Sequence, residues 1–271
     1  MKNREKIAEF QKEIWDFYKK NKRSFPWRET HDPYCILVSE IMLQQTQTDR
    51  VLPKYKEFLL AFPNFESLAA ASVSDVLKKW QGLGYNRRAL FLKKTSEIIV
   101  RDYNNRMPRD LQELKRLPGI GAYTAGALIA FAFEKEALFI ETNIRRVYIH
   151  FFFHDKDQVS DKEIIPILEE TMGKKNVREW YYALMDNGVY LGKTLPNPNK
   201  KSKHYAVQSR FEGSDRKIRG EILRVLLQSQ NITFQILYNH FEENKDRIDT
   251  IIKGLEKDGF ITIKKNIIHL V

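Results

Sequence analysis

Leu117-Pro-Gly-Ile-Gly-Ala-Tyr-Thr-Ala125 is the stretch that decides the fold of this 271-residue chain. Pro118 ends the helical pattern before it, and Gly119 and Gly121 permit backbone conformations that are closed to other residues. Small side chains here also let the first N–H groups of the next helix approach a phosphate oxygen. No strand precedes the glycines, so a dinucleotide-binding fold is disfavoured. The stretch predicts a tight turn between two helices, either a plain corner or one that binds a nucleic-acid backbone.

Apolar residues recur at three- and four-residue spacing on both sides of this turn, which is typical of helices that bury one face. The breaks between the helical patterns carry Gly or Pro. Strand-like alternation is almost absent before residue 190. The predicted fold class is therefore mainly α, with helices at residues 6–20, 34–44, 48–61, 64–70, 74–81, 87–103 and 111–117.

The pattern changes after the helical body. Residues 193–215 are rich in Pro, Asn and basic side chains, and we interpret them as a basic linker. Residues 216–271 combine three helical patterns with a hairpin about Lys264-Lys265-Asn266, which predicts a small winged helix-turn-helix. Its third helix carries six acids against four bases between Glu242 and Asp258, a balance that DNA phosphates would repel. We therefore expect this module to pack or dock rather than to read a groove.

Composition narrows the classes of function. Forty-six Lys and Arg against 35 Asp and Glu give a net charge of +11, which favours a polyanionic partner. No apolar run approaches the roughly 20 residues that span a bilayer, and no secretory signal is evident, so we expect no membrane association. The single cysteine, Cys35, excludes an internal disulfide, a Cys-based zinc site and a cysteine-ligated iron–sulfur cluster. An intracellular location follows, cytoplasmic and nucleoid-associated in a prokaryote.

Several further motifs occur in a fixed order along the chain. With residues 117–125 they resemble the helix-hairpin-helix DNA glycosylases of base excision repair related to endonuclease III, most closely the MutY-type adenine glycosylases. The resemblance covers residues 20–190 and is carried by Pro26-Trp-Arg, Asp32-Pro-Tyr, Ser39-Glu-Ile-Met-Leu-Gln-Gln-Thr-Gln47, Trp80-Gln-Gly-Leu-Gly-Tyr85 and Gly121-Ala-Tyr-Thr-Ala-Gly126. It implies a glycosylase domain at residues 1–192, built from a six-helix module (about 30–133) and a second module (1–29 plus 134–192). A flipped base would enter the cleft of such a fold.

The resemblance also implies catalytic residues. Breaking an N-glycosidic bond develops positive charge on the sugar and negative charge on the base, so a carboxylate and an acid both help. Glu40 matches the acid of the adenine branch, and burial on its apolar helix should raise its pKa. Glu141 stands where the family has Asp, and is either the carboxylate that stabilises the oxocarbenium ion or only a helix cap.

Tyr123 occupies the position where bifunctional members carry a Schiff-base lysine, so we expect no AP-lyase activity. By the same resemblance Tyr123 and Asn143 position the base or the carboxylate. Gln44, Gln45 and Tyr85 match residues that fill the gap left by the flipped base, although helix surface and core are their alternative interpretations. The other predicted DNA-binding residues come from the hairpin and the linker: Leu117, Gly119, Gly121, Ala122, Thr124, Lys200, Lys201 and Lys203.

Two departures from the adenine branch affect the expected function. Its four cysteines are absent after the second module, and a winged helix stands where a lesion-reading domain is usual. We expect no cofactor and no metal site, with an alkali ion on the hairpin carbonyls left open. The indicated function is a monofunctional, monomeric DNA N-glycosylase that acts on a mispaired or damaged base in double-stranded DNA, adenine opposite 8-oxoguanine or guanine first. The alternatives are a mismatch thymine or uracil glycosylase and a non-catalytic DNA-damage-binding protein.

Overall fold

The computed structural model describes residues 2–173, 176–207, 210–229, 231–241 and 244–271. The chain folds into two compact units that interleave along the sequence. The first comprises Met1–Leu37, Pro108–Arg116 and Ile120–Val207, and the second Val38–Met107, Leu117–Gly119 and Gln208–Val271. Glu242 and Glu243, two of the acids counted in the sequence of the winged helix, lie outside the described residues. The predicted domain boundaries stay a prediction.

Helices dominate the described chain, which confirms the predicted fold class. The largest difference from the predicted bounds is at the first helix, which begins four residues before residue 6. In chain order the helices are α1 (Lys2–Asn21), α2 (Pro33–Leu43), α3 (Thr48–Ala61), α4 (Phe65–Ala70), α5 (Val73–Trp80), α6 (Arg87–Asp102), α7 (Leu111–Arg116), α8 (Ala122–Ala132), α9 (Thr142–Phe152), α10 (Asp161–Thr171), α11 (Val177–Thr194), α12 (Asp215–Gln228), α13 (Phe234–His240) and α14 (Lys245–Lys257). Short 3-10 helices form at Pro26–Arg28 and Pro198–Lys201.

The core of the first unit is aromatic. Helix α11 packs on α9, and α1 contacts both α10 and α11. The ring of Phe10 lies 5.5 Å from the ring of Tyr148 and 5.9 Å from that of Trp180, and all three side chains are buried. Large aromatic side chains in such edge and tilted contacts contribute strongly to core stability. These contacts fix the position of α9 relative to α11, and both helices carry residues of the candidate site.

In the second unit α6 packs against α4 and α5, and α3 packs on α5. Their shared core includes Phe58 and Trp80, which are fully buried with ring centroids 5.8 Å apart. Because α6 packs against both α4 and α5, the backbone of its first residues, Arg87 and Arg88, is held in place. Among the described residues, no helix is both long enough and apolar enough to cross a membrane.

The winged-helix module (residues 215–271) belongs to the second unit. Its antiparallel sheet has the order β1-β3-β2, with β1 at Asn231–Thr233, β2 at Ile261–Lys264 and β3 at Ile267–Leu270. Lys265 and Asn266 both have positive φ, +49° and +61°, as a two-residue hairpin turn requires. Helix α14 packs on α12 and β2, which covers its apolar face inside the module.

Candidate active site

The hairpin between α7 and α8 depends on one glycine. Gly119 has φ +75°, and a Cβ on it would lie 2.8 Å from Cβ of Phe91, so both the backbone and the space require glycine. The hydroxyl of Thr95 donates to the carbonyl oxygen of Pro118 at 2.9 Å and fixes the turn. Gly121 does not use the expected freedom, because it caps α8 in an extended conformation (φ −82°, ψ −178°) that any residue adopts.

The first turn of α8 presents backbone rather than side chains. The first amides of a helix have no partner within it, and its dipole favours an anion there. Gly121 and Ala122 are exposed at this point, whereas Thr124 and Leu117 are buried. The backbone about Gly121 and Ala122 is therefore accessible, Leu117 and Thr124 are buried next to it, and the DNA contacts of the hairpin stay a prediction.

Glu141 is the N-cap of α9 and lies half-buried in the first unit. Its Oε1 accepts the backbone N–H groups of Asn143 (2.7 Å) and Ile144 (2.9 Å), and its Oε2 accepts Nδ2 of Asn143 at 3.1 Å. Burial raises the pKa of Glu141 above its ordinary value, although the two backbone donors act in the opposite direction. The cap that the sequence left open is therefore present, and one carboxylate oxygen is fixed by it.

Asn143 is held from its other end by Arg146. Nη1 of Arg146 donates to Oδ1 of Asn143 at 2.8 Å and to the carbonyl oxygen of Gly188 at 2.6 Å. A Cβ on Gly188 would lie 2.3 Å from the carbonyl oxygen of Asn143, so α11 approaches α9 this closely only because residue 188 is glycine. The network fixes which end of the Asn143 amide faces Glu141.

Tyr123 lies half-buried in the same unit as this network. Its ring meets that of Phe139 edge-on, with centroids 5.6 Å apart, and Phe139 itself stacks on Tyr181 at 3.9 Å. Gly126 leaves room for the Phe139 ring, since a Cβ there would lie 2.9 Å from it. Tyr123 and the segment that leads to Glu141 are thus joined through one aromatic cluster, while their predicted roles stay predictions.

Glu40 lies in the second unit, on α2, and is 5% exposed. The residues one turn before it on the helix, Ile36 and Leu37, are buried and apolar. A carboxyl group in such surroundings is costly unless it is protonated or bonded. The structure therefore supplies the burial that was expected of Glu40 and leaves its role as an acid a prediction.

The residues predicted to fill the gap of a flipped base also lie in the second unit. Gln45 has φ +54° and Tyr85 has φ +46°, the left-handed region that residues other than glycine rarely occupy. Gln44 and Tyr85 are half-buried and Gln45 is exposed. Two strained residues on neighbouring loops persist only where the surroundings fix them, and such strain concentrates at functional sites.

Arg88 is the residue that fixes these loops, and sequence reasoning missed it. It is 8% exposed at the first turn of α6, and burial lowers its pKa to about 10, so it stays charged at neutral pH. In the sequence Arg88 is the second of two arginines at the start of a helix, a pattern that predicts an exposed charged residue. Its guanidinium donates to the carbonyl oxygens of Ile41 (2.8 Å), Met42 (2.8 Å), Gln44 (2.6 Å), Leu83 (3.2 Å) and Gly84 (3.0 Å).

The first part of the linker, residues 193–207, is more ordered than its composition predicted, because it folds back on the first unit. Nδ2 of Asn199 donates to the carbonyl oxygen of Thr142 at 2.9 Å, which ties the 3-10 helix to the start of α9. The backbone of Val159 pairs with Lys201 and Lys203 at 2.8 and 2.9 Å. Of the three predicted DNA-binding lysines, Lys200 and Lys203 are exposed, and the ammonium group of Lys201 donates to the carbonyl oxygen of His154.

This hydrogen-bonded segment follows α11, where the adenine branch usually carries its four cluster cysteines. The only thiol of the chain, on Cys35, belongs to α2 and lies on a different element. One thiolate does not fit a cluster that needs four. Among the described residues, no group of three His, Cys, Asp or Glu side chains is placed to hold a metal ion.

Comparison with protein families matches about half of this chain to one family model. The sequence model of the HhH-GPD superfamily, described as a base excision DNA repair protein, matches residues 38–173. These residues include Glu40, the loops that carry Gln45 and Tyr85 (the wedge loops), the hairpin and Glu141.

Individual relatives support the same grouping. An adenine DNA glycosylase of Mycobacterium tuberculosis is 43% identical over 132 residues, 48% of this chain and 43% of the relative, so the chain spans less than half of that protein. An adenine DNA glycosylase of Mycolicibacterium smegmatis is 31% identical over 234 residues, 80% of each chain. The solved structure of a thermostable thymine-DNA glycosylase superposes with a TM-score of 0.62 at 29% identity, over 69% of this chain and 88% of that one.

Proposed function

Because this chain belongs to the HhH-GPD superfamily of base excision DNA repair proteins, we propose that it is a monofunctional DNA glycosylase that removes adenine opposite 8-oxoguanine or guanine. The adenine preference is supported by the mycobacterial adenine glycosylases that the chain resembles. Its substrate is double-stranded DNA with one mispaired base, bound by a single copy of the chain in the cytoplasm. The observation that carries the proposal is Glu40, a carboxyl group almost wholly buried on an apolar helix.

Glu40 acts as the general acid in this mechanism. In the proposed mechanism its carboxyl group holds a proton when the substrate binds, as general acid catalysis requires. It donates that proton to a ring nitrogen of the flipped adenine. The C1′–N9 bond then breaks with its electron pair on the base, which leaves as neutral adenine.

Glu141 supplies the negative charge that the sugar needs. Loss of the base leaves an oxocarbenium ion at C1′, and an ionised carboxylate beside it lowers the energy of that state. The backbone N–H groups of Asn143 and Ile144 hold Oε1 of Glu141, and the side chain of Asn143 donates to Oε2. We assign Oε2 to the sugar, because Oε1 is already engaged by two backbone donors. Water adds to C1′ and loses a proton, which completes hydrolysis to an abasic site.

Tyr123 limits the reaction to hydrolysis. A phenol has no amine to attack C1′, so no Schiff base forms and no β-elimination follows. Strand cleavage should then require added alkali. Borohydride should trap no covalent adduct between the protein and DNA.

A mismatch thymine or uracil glycosylase is the second candidate. It is favoured by the thymine-DNA glycosylase structure, which at 29% identity is similar in sequence as well as in fold. The two candidates differ in the base that is released, and therefore in the experiment that separates them.

The test is a set of duplexes that differ in one pair: adenine opposite 8-oxoguanine, guanine or cytosine, and thymine or uracil opposite guanine. Base release is measured in single turnover, and strand cleavage is scored with and without alkali. Release of adenine only, with alkali-dependent cleavage, supports the first candidate. Release of thymine or uracil only would replace it with the second candidate. If no base is released from any duplex, the remaining hypothesis is a non-catalytic DNA-damage-binding protein.

Glu40→Gln tests the acid. The amide keeps the shape of the side chain but cannot give up a proton, so excision should fall by at least about a thousandfold while affinity for mismatched DNA changes little. Glu66→Gln is the matched control, because Glu66 is exposed at the start of α4 in the same unit. Excision by Glu40→Gln at the rate of the unaltered protein would place the acid elsewhere.

A further inference from the structure

The second unit contains a groove with a volume of about 1140 Å³. One wall carries the residues predicted to fill the gap of a flipped base, Gln44, Gln45 and Tyr85, and the other wall is helix α12 of the winged-helix module. Both walls lie in one compact unit, so the groove does not depend on how the two units are arranged. The predicted mechanism makes no use of it, and the hairpin contributes Gly119 to its lining.

The charge of the groove suits an anion that also has an apolar part. Seven of its lining side chains are Arg or Lys, and Glu221 is the only acid among the described lining residues. Four of the seven form ion pairs, and Arg50, Arg88 and Arg216 donate to uncharged oxygens. Leu77, Phe91, Leu223 and Leu227 add apolar surface. Nucleotides combine a phosphate with a flat ring, and sites that bind single-stranded nucleic acid combine cations with apolar or aromatic surface in this way.

Arg216 links the module to the wedge loop. Its guanidinium lies 5.0 Å from the ring centre of Tyr85 and 5.3 Å from that of Phe211, and its Nη1 donates to the Tyr85 hydroxyl. Phe211 is 52% exposed. A planar cation between two aromatic rings thus lies directly beside the residue expected to enter the DNA stack.

A shared carboxylate holds the module in this position. Asp258, at the end of α14, accepts Arg87 of α6 at 2.5 Å and Arg219 of α12 at 2.6 Å. The pair to Arg87 joins the winged-helix module to the helix that carries Arg88. Asp258 therefore docks the end of α14 on the glycosylase fold and holds Arg219 of α12, the helix that also carries Arg216 into the groove lining.

We propose that this groove binds the unpaired nucleotide opposite the excised base, and that Arg216 selects a guanine-type base there. The inference rests on the proposed function, since it requires a duplex from which one base is flipped. Wedge residues fill the space of that base, so the nucleotide left without a partner lies beside them, where the groove opens. Arginine donates in parallel to O6 and N7 of guanine, which is the commonest specific contact between a protein and a base. In 8-oxoguanine N7 carries a hydrogen, so O6 is the acceptor that the two bases share for Arg216.

The experiment measures binding, so that it does not depend on excision. Duplexes carry a stable abasic analogue opposite guanine, inosine, 2-aminopurine or cytosine, and affinity is measured by fluorescence anisotropy. Guanine and inosine keep O6 and N7, whereas 2-aminopurine lacks O6. The unaltered protein should bind the first two on the order of tenfold or more tightly than the others.

Arg216→Gln should abolish this preference, bringing all four duplexes to the affinity of the cytosine duplex. Lys217→Gln is the control, because Lys217 is an exposed neighbour on α12, and it should weaken the four duplexes equally. A preference that survives in Arg216→Gln, or an equal loss on all four duplexes, would overturn the inference. Failure of the unaltered protein to bind any abasic duplex would instead count against the proposed function.

Gly220 tests the groove itself without touching Arg216. It lines the groove on α12, and a Cβ there would meet nothing within 4 Å. Gly220→Phe should fill the space and reduce the preference for guanine at least about fivefold, whereas Gly220→Ala should keep it. An unchanged preference in a folded Gly220→Phe protein would show that no base enters the groove.

Discussion

At the scale of single residues, Glu141 joins helix capping and the expected catalysis in one carboxylate. Glu141→Gln keeps an oxygen that can cap α9 but loses the charge, so single-turnover excision should fall by several orders of magnitude with little loss of folding stability. Glu141→Asp also keeps a good cap, but draws the second oxygen back from Asn143, and about a tenfold loss of rate is expected. Equal rates for Gln and the unaltered protein would make Glu141 a cap alone.

The raised pKa of Glu141 predicts how excision depends on pH. Only the ionised carboxylate stabilises the oxocarbenium ion, so the rate should fall as the pH falls through its pKa. Because burial raises that pKa, the fall should begin at a higher pH than for an ordinary glutamate. Asn143→Ala removes a donor to the ionised form and should move the fall to still higher pH. Single-turnover rates across the acidic range measure both, and a fall at the ordinary value in both proteins would contradict the argument.

At the scale of elements, one arginine connects the end of α2 to the wedge loops. Arg88→Lys keeps the charge but supplies fewer donors in a different geometry, so the loops of Gln45 and Tyr85 should loosen. We expect a folded protein, destabilised by about 1–3 kcal/mol, with excision slowed at least tenfold. Lys94→Met on the exposed face of α6 is the control. Urea unfolding gives the stability, and 2-aminopurine fluorescence beside the mismatch reports whether the wedge still unstacks the duplex.

Helices could be predicted from the sequence because apolar spacing depends on neighbours along the chain. Strand β1, with three residues, has too short a pattern to detect, and its pairing with β3 is set by a partner more than 30 residues away. The same limit applies to the site. Glu40 and Glu141 stand out as residue types in a motif, whereas the contacts of Arg88 and Arg216 come from loops that are distant in sequence. Gly121 is the opposite case. Its motif suggested a backbone conformation that requires glycine, but the structure has an extended conformation there.

At the scale of the whole molecule, the net charge of +11 does not show where the charged side chains lie or which of them are paired. Acids of the winged-helix module form ion pairs. Asp258 pairs with Arg87 and Arg219, and Glu221 pairs with Arg224. Of the four basic side chains of α12, Lys217, Arg219 and Arg224 are in ion pairs, and Arg216 contacts Tyr85 on the groove side. An acidic third helix is therefore compatible with the basic groove that we propose to face DNA, because the two properties belong to different helices of the module.

Asp258→Asn tests whether that arrangement depends on docking. Burial alone would raise the pKa of Asp258, but Arg87 and Arg219 lower it below the ordinary value, so the ionised carboxylate stabilises the fold. This contribution should be present above the pKa of an unfolded aspartate and be lost as the pH falls through the lowered value. At neutral pH we expect Asp258→Asn to cost about 1–2 kcal/mol of unfolding free energy, since its carboxylate is only 12% exposed. Asp102→Asn, which breaks an exposed pair with Arg101, should change the free energy of unfolding much less.

Docking itself needs a local measurement as well as unfolding. Hydrogen exchange at the start of α6 and in α12 should speed up in Asp258→Asn and stay unchanged in Asp102→Asn, because only the first loses the tie between these helices. If the module places Arg216, the preference for guanine opposite the abasic analogue should weaken in Asp258→Asn as well. Faster exchange with an unchanged preference would mean that Arg216 and Tyr85 hold the groove without the carboxylate, and unchanged exchange would mean that apolar packing alone docks the module.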